Sequence, residues 1–427
     1  MKDENDLYWV WLATRMGIAS KEFGKLIGMI PDPYDIYRLS EEEIEQLGFG
    51  ARTKKNLCDK SLTEAYAILK YCKSAKVEII GYTDKKYPAR LRAIEDPPVL
   101  LYCKGKMPDM NAKLCVGMVG TRKMSEYGMQ TAYKISYELS AAGACVVSGM
   151  ALGIDGVCAC GAIEGGGTTV AVLGCGIARV YPKAHAVLSK AICSHGAVIT
   201  EYPPSEEPHG YNFPKRNRII SGLCQGVVIV EGAKGSGALI TATRAIEQGR
   251  ELFALPGKVN ESNSDGPNEL IRNGANVVLC AEDIIDHYDF LYHDTLNFKA
   301  YLRAKKTSDI NEKSLSRYGV SAVCESVRSM SVTEAPTHDE KASAPKTEAV
   351  NEKKEEQETT EVKSDLSALR TLDENTRNIY GMLSDTVFTA DDIAAKGVAI
   401  HRVMTALTIL EVSGLITSLP GGSFKKL

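Results

Sequence analysis

The residues best suited to binding chemistry are cations, small residues and an aromatic ring between positions 201 and 257. The run Phe213-Pro214-Lys215-Arg216-Asn217-Arg218 combines three cations with an amide and a ring. The turn at 232–237 contains Gly235, Ser236 and Gly237 and leads into a helical pattern. A helix that begins with small residues offers backbone N–H groups and a positive dipole end to an anion. The segment therefore predicts a phosphate site, and it leaves open whether a nucleotide or a nucleic acid supplies the phosphate.

We interpret residues 213–218 as a basic loop. Its cations suit a phosphate backbone and Phe213 suits a stacked base, which are the two halves of single-strand recognition. A solvated basic loop is the alternative interpretation.

Two further motifs stand where a strand pattern passes into a helical one. In Gly120-Thr121-Arg122 the glycine permits close backbone approach, the threonine can cap a helix and the arginine can grip a phosphate. The second motif, SGMALGID, ends in Asp155, which can cap the next helix or orient a basic side chain. Lys183 in the loop YPKAH is another candidate for a phosphate contact. For Arg122 and Lys183 a plainly solvated side chain is the alternative.

Several catalytic motifs are missing from the sequence. Ala238 follows Gly237 where a nucleotide-binding P-loop would have lysine, and no G-x-G-x-x-G opens the first strand–helix unit. We find no nucleophile–base set and no metal-spaced cluster, so we expect a binding protein without catalytic residues, cofactor or metal. The twelve cysteines lack C-x-x-C spacing and predict neither disulfides nor zinc.

Composition limits the class of protein further. The net charge of −3 over 427 residues means that any nucleic-acid surface is a local patch. The chain has no apolar run of about 18 residues and its first residues, MKDENDLYWV, do not resemble a signal peptide. We therefore expect a cytoplasmic protein that does not contact a membrane.

The pattern of apolar residues divides the chain into four segments. Residues 1–72 are helical, with glycine turns near Gly17 and Gly48 that are typical of a SAM-like or helix-hairpin-helix domain. That domain can hold a DNA phosphate or serve packing alone. Residues 73–300 alternate nine apolar strands with helices and predict an α/β, doubly wound, mainly parallel Rossmann-like sheet. Residues 301–370 are rich in Glu, Lys, Ser and Thr and predict a disordered linker. Residues 371–427 predict a winged helix. For this domain we favour contact with another protein over recognition of bases in a DNA groove.

The ordered series GTR, SGMALGID, TTVAVLGCG, YPKAH, FPKRNRII and GVVIVEGAKGSGALITATRAIEQGRELFALPG resembles the DNA-processing protein A (DprA/Smf) family. The resemblance covers the whole Rossmann-like segment. It implies a single-stranded DNA-binding protein of natural transformation that protects incoming DNA, forms a homodimer and loads the RecA recombinase. It places the DNA site at Arg122, Lys183, Phe213, Arg216, Asn217 and Arg218, with Gly120, Thr121, Lys215 and the turn Gly235, Ser236 and Gly237 beside them.

The sequence departs from the family at two positions. Ala159 stands where the family usually has histidine, and Ala178 stands where it often has aspartate. Neither change removes a phosphate-binding cation, so these departures concern the fine geometry of the pocket.

Two other functions compete with this interpretation. A nucleotide or phosphoribosyl hydrolase could use a related sheet, but its P-G-G-x-G-T-x-x-E signature is absent and Pro256-Gly257-Lys258 does not reproduce it. A transcription regulator could act through residues 373–427, but the third predicted helix there carries little positive charge beyond Arg402.

Overall fold

The computed structural model describes residues 2–310 and 312–320, together with short separate stretches between 374 and 426. The chain divides into two compact units, Met1–Pro336 and Thr337–Leu427.

Six helices form the beginning of the first unit. They are α1 (Lys2–Met16), α2 (Lys21–Met29), α3 (Pro33–Arg38), α4 (Glu41–Gln46), α5 (Ala51–Cys58) and α6 (Thr63–Ala75). Trp9, Trp11 and Phe23 are fully or almost fully buried and share a core with the first two strands of the sheet that follows. The helices lie where the apolar pattern of residues 1–72 predicts them, and α6 runs three residues further.

A nine-stranded sheet follows. Its strands are β1 (Glu78–Gly81), β2 (Leu100–Gly105), β3 (Cys115–Val119), β4 (Cys145–Ser148), β5 (Thr168–Val172), β6 (Gly196–Thr200), β7 (Gly226–Ile229), β8 (Glu251–Ala254) and β9 (Asn276–Val277). The spatial order is β1-β2-β6-β5-β4-β3-β7-β8-β9. Strands β3 to β9 pair in parallel, whereas β2 is antiparallel to both β1 and β6. The predicted α/β, mainly parallel, Rossmann-like class is confirmed.

Helices cover both faces of this sheet. They are α7 (Ala89–Arg92), α8 (Glu126–Ala141), α9 (Ile154–Glu164), α10 (Ala186–His195), α11 (Asn212–Leu223), α12 (Gly237–Glu247), α13 (Ser262–Arg272) and α14 (Ala281–Tyr292). In β3, Val116 and Met118 belong to the core with α8 and α9, while Cys115 and Val119 belong to the core with α11 and α12. Because both faces are buried there, the central strands β3 and β7 are apolar throughout.

The order of the strands defines where a ligand can bind. From β3 the chain builds β4, β5 and β6 on one side and then crosses to build β7, β8 and β9 on the other. The carboxyl ends of β3 and β7 therefore meet at the topological switch point, the place where open α/β sheets bind ligands.

The segment predicted as a linker begins with folded structure. Helices α15 (Phe298–Ala304) and α16 (Glu312–Arg317) lie within or next to it, and Tyr301 and Leu315 are fully buried in the core with α8 and α9. Ser308 Oγ donates a hydrogen bond to the Glu138 carboxylate at 2.7 Å. The predicted start of the linker at residue 301 is therefore wrong, since a few well-placed apolar residues attach residues 298–320 to the sheet domain. The rest of that segment, 321–370, lies outside the described residues.

The second unit contains helix α17 (Glu374–Met382) and the strands β10 (Phe388–Thr389), β11 (Ile416–Leu419) and β12 (Ser423–Lys426). The strands pair antiparallel in the order β10-β12-β11. Ile379, Leu407 and Leu410 contribute to its own small core. Helix α17 and the β11–β12 pair lie where the winged-helix prediction places them, and much of the two predicted helices between them lies outside the described residues.

Within the described part of the chain, no helix is both long and apolar enough to cross a membrane. The cysteines described there are free thiols, and no group of histidine, cysteine and acidic residues in it could hold a metal ion.

Candidate nucleic-acid interface

A cavity of about 500 Å³ opens at the switch point, at the carboxyl ends of β3, β4 and β7. Its walls come from the turn after β3, the loop after β4, the first turns of α11 and the beginning of α12. Residues from the predicted site that line it are Gly120, Thr121, Arg122, Phe213, Arg216, Asn217, Ser236 and Gly237. The topology thus brings together motifs that are up to 117 positions apart in the sequence (120 to 237).

The first turn of α12 forms one wall of the cavity. Ser236 precedes the helix in an extended conformation, and its Oγ is buried without a hydrogen-bond partner. Asn217 Nδ2 donates a hydrogen bond to the Gly237 carbonyl at 3.3 Å, which joins α11 to this turn. The positive end of the helix dipole therefore lies at the cavity, as the small residues of the turn predict.

The turn after β3 is held by Glu231, a residue that the sequence analysis did not identify. Glu231 is buried at the end of β7, and its carboxylate accepts a hydrogen bond from Ser125 N at 2.9 Å and another from Ser125 Oγ. Its carbonyl accepts from Thr121 N at 2.8 Å. An acidic residue directly after a fully apolar strand is the pattern that could have indicated it.

Small residues in the loop after β4 serve close packing against the same turn. Gly153 has φ of +77°, and a Cβ at this position would lie 2.4 Å from the Thr121 carbonyl oxygen. A Cβ at Gly120 would lie 2.7 Å from Ile154 Cγ1. No larger residue fits at either position, so the two glycines fix the distance between the turn after β3 and the loop after β4.

Asp155 holds the main chain of the loop after β4. Its Oδ2 accepts hydrogen bonds from Gly149 N at 3.1 Å and Ala151 N at 3.3 Å. Burial raises the pKa of Asp155, and the nearby charge of Arg216 opposes this rise. Of the two roles suggested by the sequence, helix capping is not observed here, because the carboxylate is engaged by the loop that precedes the helix.

Arg216 forms the floor of the cavity. Its side chain is 4% exposed, and Nη1 donates hydrogen bonds to the carbonyls of Gly149, at 2.8 Å, and Val172. Burial lowers the pKa of the guanidinium, and Asp155 opposes this effect. Two carbonyls from neighbouring strand ends therefore fix a cation at the base of the site.

Phe213 brings two of the cations together. The Cζ atoms of Arg122 and Arg216 lie 5.5 Å and 6.0 Å from the centroid of its ring. Tyr181 lies next to the same ring, with 5.5 Å between centroids. Arg122 is exposed, so its guanidinium is accessible at the mouth of the cavity. The arrangement offers positive charge and an aromatic surface at one place.

The basic segment at 213–218 is helical, which corrects its interpretation as a loop. It forms the first turns of α11, where successive side chains point about 100° apart. Arg218 therefore points away from the cavity: it is 2% exposed, and its Nη2 lies 2.5 Å from Glu201 Oε2 and its Nε 3.3 Å from Asp96 Oδ2. Lys215 lies on the exposed surface, 5.7 Å from the Tyr211 ring centroid. We accordingly withdraw Arg218 from the predicted DNA site.

Lys183 and Gly235 lie beside the main cavity. Lys183 begins a short 3-10 turn, Lys183–His185, and lines a neighbouring cavity of about 420 Å³ together with Tyr181 and Arg179. Tyr181 and Pro208 line both cavities, so the two are adjacent. Gly235 is exposed with φ of +75°, which shapes the turn that leads to Ser236.

The glycine turn near Gly48, the second in the helical segment, already binds a carboxylate of the chain itself. Gly50 N, at the start of α5, donates a hydrogen bond to Glu22 Oε1 at 2.9 Å. Hydrogen bonds from Thr53 and from Gly50 lower the pKa of Glu22. A carboxylate of the chain itself occupies the place that a DNA phosphate would take, which favours the packing role for this turn.

Fold and site together define a class: a Rossmann-like binding protein with a cationic, aromatic-lined cavity at its switch point. Comparison with known families agrees. The family described as DNA recombination-mediator protein A matches residues 78–289, and the DprA winged helix domain matches residues 364–422. The chain belongs to the DprA/Smf family, and its predicted C-terminal winged helix is confirmed.

Individual relatives support this assignment. The DNA processing protein DprA of Bacillus subtilis is 37% identical over 236 residues, which are 55% of this chain and 80% of that protein. The DprA of Streptococcus pneumoniae is 41% identical over 207 residues, 48% of this chain and 73% of that protein. The X-ray structure of the S. pneumoniae protein matches with a TM-score of 0.57 at 33% identity and covers 66% of this chain and 97% of that chain.

Proposed function

We propose that this protein binds single-stranded DNA at the switch-point cavity. One observation carries the proposal: Arg122 and Arg216 both lie against the Phe213 ring, beside the first turn of α12. The cations and the helix dipole neutralise phosphates, and the ring stacks a base. None of these contacts depends on the base sequence, so we expect little sequence preference and affinity that falls with salt.

The experiment is a fluorescence-anisotropy titration of labelled oligothymidine. Arg122→Ala is expected to weaken binding about tenfold, as loss of one charge-assisted contact does, and Arg122→Ala with Lys183→Ala to weaken it further. Lys70→Ala, which removes an exposed cation from α6, is the matched control. Unchanged affinity in the double variant would show that the site is elsewhere, and equal affinity for duplex DNA would contradict single-strand selectivity.

We further propose that the bound strand is passed to the RecA recombinase during natural transformation, in the cytoplasm. Membership in the family described as DNA recombination-mediator protein A supports this step. A pull-down with the host recombinase, with and without single-stranded DNA, tests it. The proposal requires capture in at least one of the two conditions.

The homodimer is proposed to form at the β9 end of the sheet. β9 is the last strand in the sheet order, and Val277 on it and Leu279 just after it are 47% and 65% exposed. An edge strand flanked by exposed apolar side chains suits pairing with a second copy. Light scattering should give a dimer for the parent chain and a monomer for Leu279→Lys.

A nucleotide or phosphoribosyl hydrolase is the second candidate, because Asp155 is a buried carboxyl of raised pKa in the cavity wall. The two N–H groups bound to its carboxylate favour a structural role instead. Release of free base from nucleoside monophosphates, abolished by Asp155→Asn, would establish the enzyme. We propose a binding protein, for which no base is released.

A further inference from the structure

Two exposed rings stand immediately before helix α11. His209 and Tyr211 are stacked, with ring centroids 5.2 Å apart and planes inclined by 6°. Tyr211 is 62% exposed. At that exposure the Tyr211 ring contributes little to the buried core and is accessible to a ligand.

Hydrogen bonds fix the loop that carries the pair. Asn212 N donates to the His209 carbonyl at 3.0 Å, and the hydroxyl of buried Tyr202 donates to the Asn212 carbonyl at 3.1 Å. The preceding residues are tied to the loop after β5, since Gly176 N donates to the Glu206 carbonyl at 2.9 Å. The stacked rings therefore stand on a fixed support and need little ordering on binding.

The position of the pair relates it to the proposed DNA site. Pro208 and Gly210, on either side of His209, line the switch-point cavity, and Phe213 follows Tyr211 by two residues. Lys215 Nζ lies 5.7 Å from the Tyr211 ring centroid and supplies a cation at the same place. The loop carries two acidic residues, and both have partners: Glu207 is paired with Arg179, and Glu206 Oε1 accepts a hydrogen bond from Asn212 Nδ2 at 3.3 Å.

We propose that the Tyr211–His209 pair is a second base-stacking platform for single-stranded DNA, next to the base held at Phe213, with Lys215 on the adjoining phosphate. This inference rests on the proposed function and extends it by one subsite. Fixed aromatic faces joined to a flexible cation are the elements with which proteins bind successive nucleotides of a single strand.

The test separates stacking from charge by using two ligands of equal length and charge. One is oligothymidine, and the other is an oligomer of abasic residues. Tyr211→Ala should weaken binding of oligothymidine about tenfold, within the range for loss of one stacked base, and leave binding of the abasic oligomer unchanged. Tyr211→Phe keeps the ring and should bind like the parent. Lys215→Ala should weaken binding of both ligands alike.

Tyr66→Ala is the matched control, because Tyr66 on α6 is 58% exposed and far along the chain from the site. Since Tyr211 is exposed, its variants should keep the circular dichroism and melting temperature of the parent, and His209→Ala provides a second variant of the platform. If the parent binds oligothymidine and Tyr211→Ala binds it equally well, the stacking platform is overturned. The same holds if Tyr211→Ala loses equal affinity for oligothymidine and for the abasic oligomer. Neither result affects the proposed function. Failure of the parent to bind either ligand would overturn the proposed function itself.

Discussion

Gly149 and Arg216 fit together so closely that a side chain at position 149 leaves no room for the Arg216 guanidinium. The Gly149 carbonyl accepts a hydrogen bond from Arg216 Nη1 at 2.8 Å, while a Cβ at position 149 would lie 2.5 Å from Nη2. Real Cβ atoms do not approach so near, so a side chain here must displace the guanidinium. The glycine after β4 thus creates the space for the cation at the cavity floor.

We therefore expect Gly149→Ala to weaken binding of oligothymidine about tenfold, as much as Arg216→Ala does, since each removes one charge-assisted contact from the site. The two changes should not add in the double variant, because the second has nothing left to remove. Fluorescence anisotropy on the four proteins of this double-mutant cycle measures the coupling.

Gly28→Ala is the control for the substitution type. Gly28 lies in α2 with open space around it, and alanine there should leave DNA affinity unchanged and slightly stabilise the helix. Additive losses for Gly149→Ala and Arg216→Ala would mean that the two residues act separately.

Arg218 should behave in the opposite way to Arg122. Arg218→Met removes the buried cation that pairs with Glu201 and Asp96, and breaking such a pair costs about 3–5 kcal/mol of unfolding free energy. Its folded fraction should still bind oligothymidine with parent affinity, whereas Arg122→Ala should lose affinity and keep stability. Urea unfolding and anisotropy on both variants decide this; a pure affinity loss in Arg218→Met would return Arg218 to the DNA site.

The free energy of unfolding of Arg218→Met should depend on pH in a predictable direction. Burial raises the pKa of Glu201 above its ordinary value of 4.5, and the charge of Arg218 opposes the rise. Without Arg218 the pKa rises further, so above about pH 4.5 the folded state holds a proton that the unfolded state has released. The free energy of unfolding then falls as pH increases. Unfolding midpoints from about pH 5 to pH 7 should decline more steeply in Arg218→Met than in the parent.

The sheet and the place of the site could be predicted from sequence because their causes are local. Most strands contain a short apolar run, such as 227–230, and turns rich in small residues follow the strands that end at the switch point. Parallel pairing then brings these turns to one edge. Gly120, Arg122 and Gly237 were identified in this way, and all line the cavity.

The sequence could not predict which way individual charged side chains point, because the residues that bind them are distant in the sequence. Arg218 differs from Arg216 by half a helical turn and by the presence of Glu201, 17 positions earlier. Glu231 acts through Ser125, 106 positions away. The segment 301–320 begins a stretch rich in Lys, Ser and Thr, and only the fold shows that Tyr301 and Leu315 are buried.

The salt dependence of binding should separate phosphate contacts from base contacts. For a single strand, the slope of log affinity against log salt changes by roughly 0.7 for each phosphate neutralised. Arg122→Gln should reduce the slope by about that amount, whereas Phe213→Leu should lower affinity at every salt concentration with the slope unchanged. Identical slopes in Arg122→Gln and the parent would remove Arg122 from the phosphate-binding residues.

The helices after the family match should be part of the folded sheet domain. A chain that ends at Val320 should melt like the full protein, because it keeps Tyr301 and Leu315 in the core with α8 and α9. A chain that ends at Leu296 loses both, and each fully buried large apolar side chain contributes about 1.5–3 kcal/mol. Tyr301→Ala in the chain that ends at Val320 isolates the contribution of one side chain. The melting temperature should be highest for the chain that ends at Val320, lower for its Tyr301→Ala variant and lowest for the chain that ends at Leu296. Equal melting temperatures for the chains ending at Leu296 and Val320 would place the start of the linker at residue 301 after all.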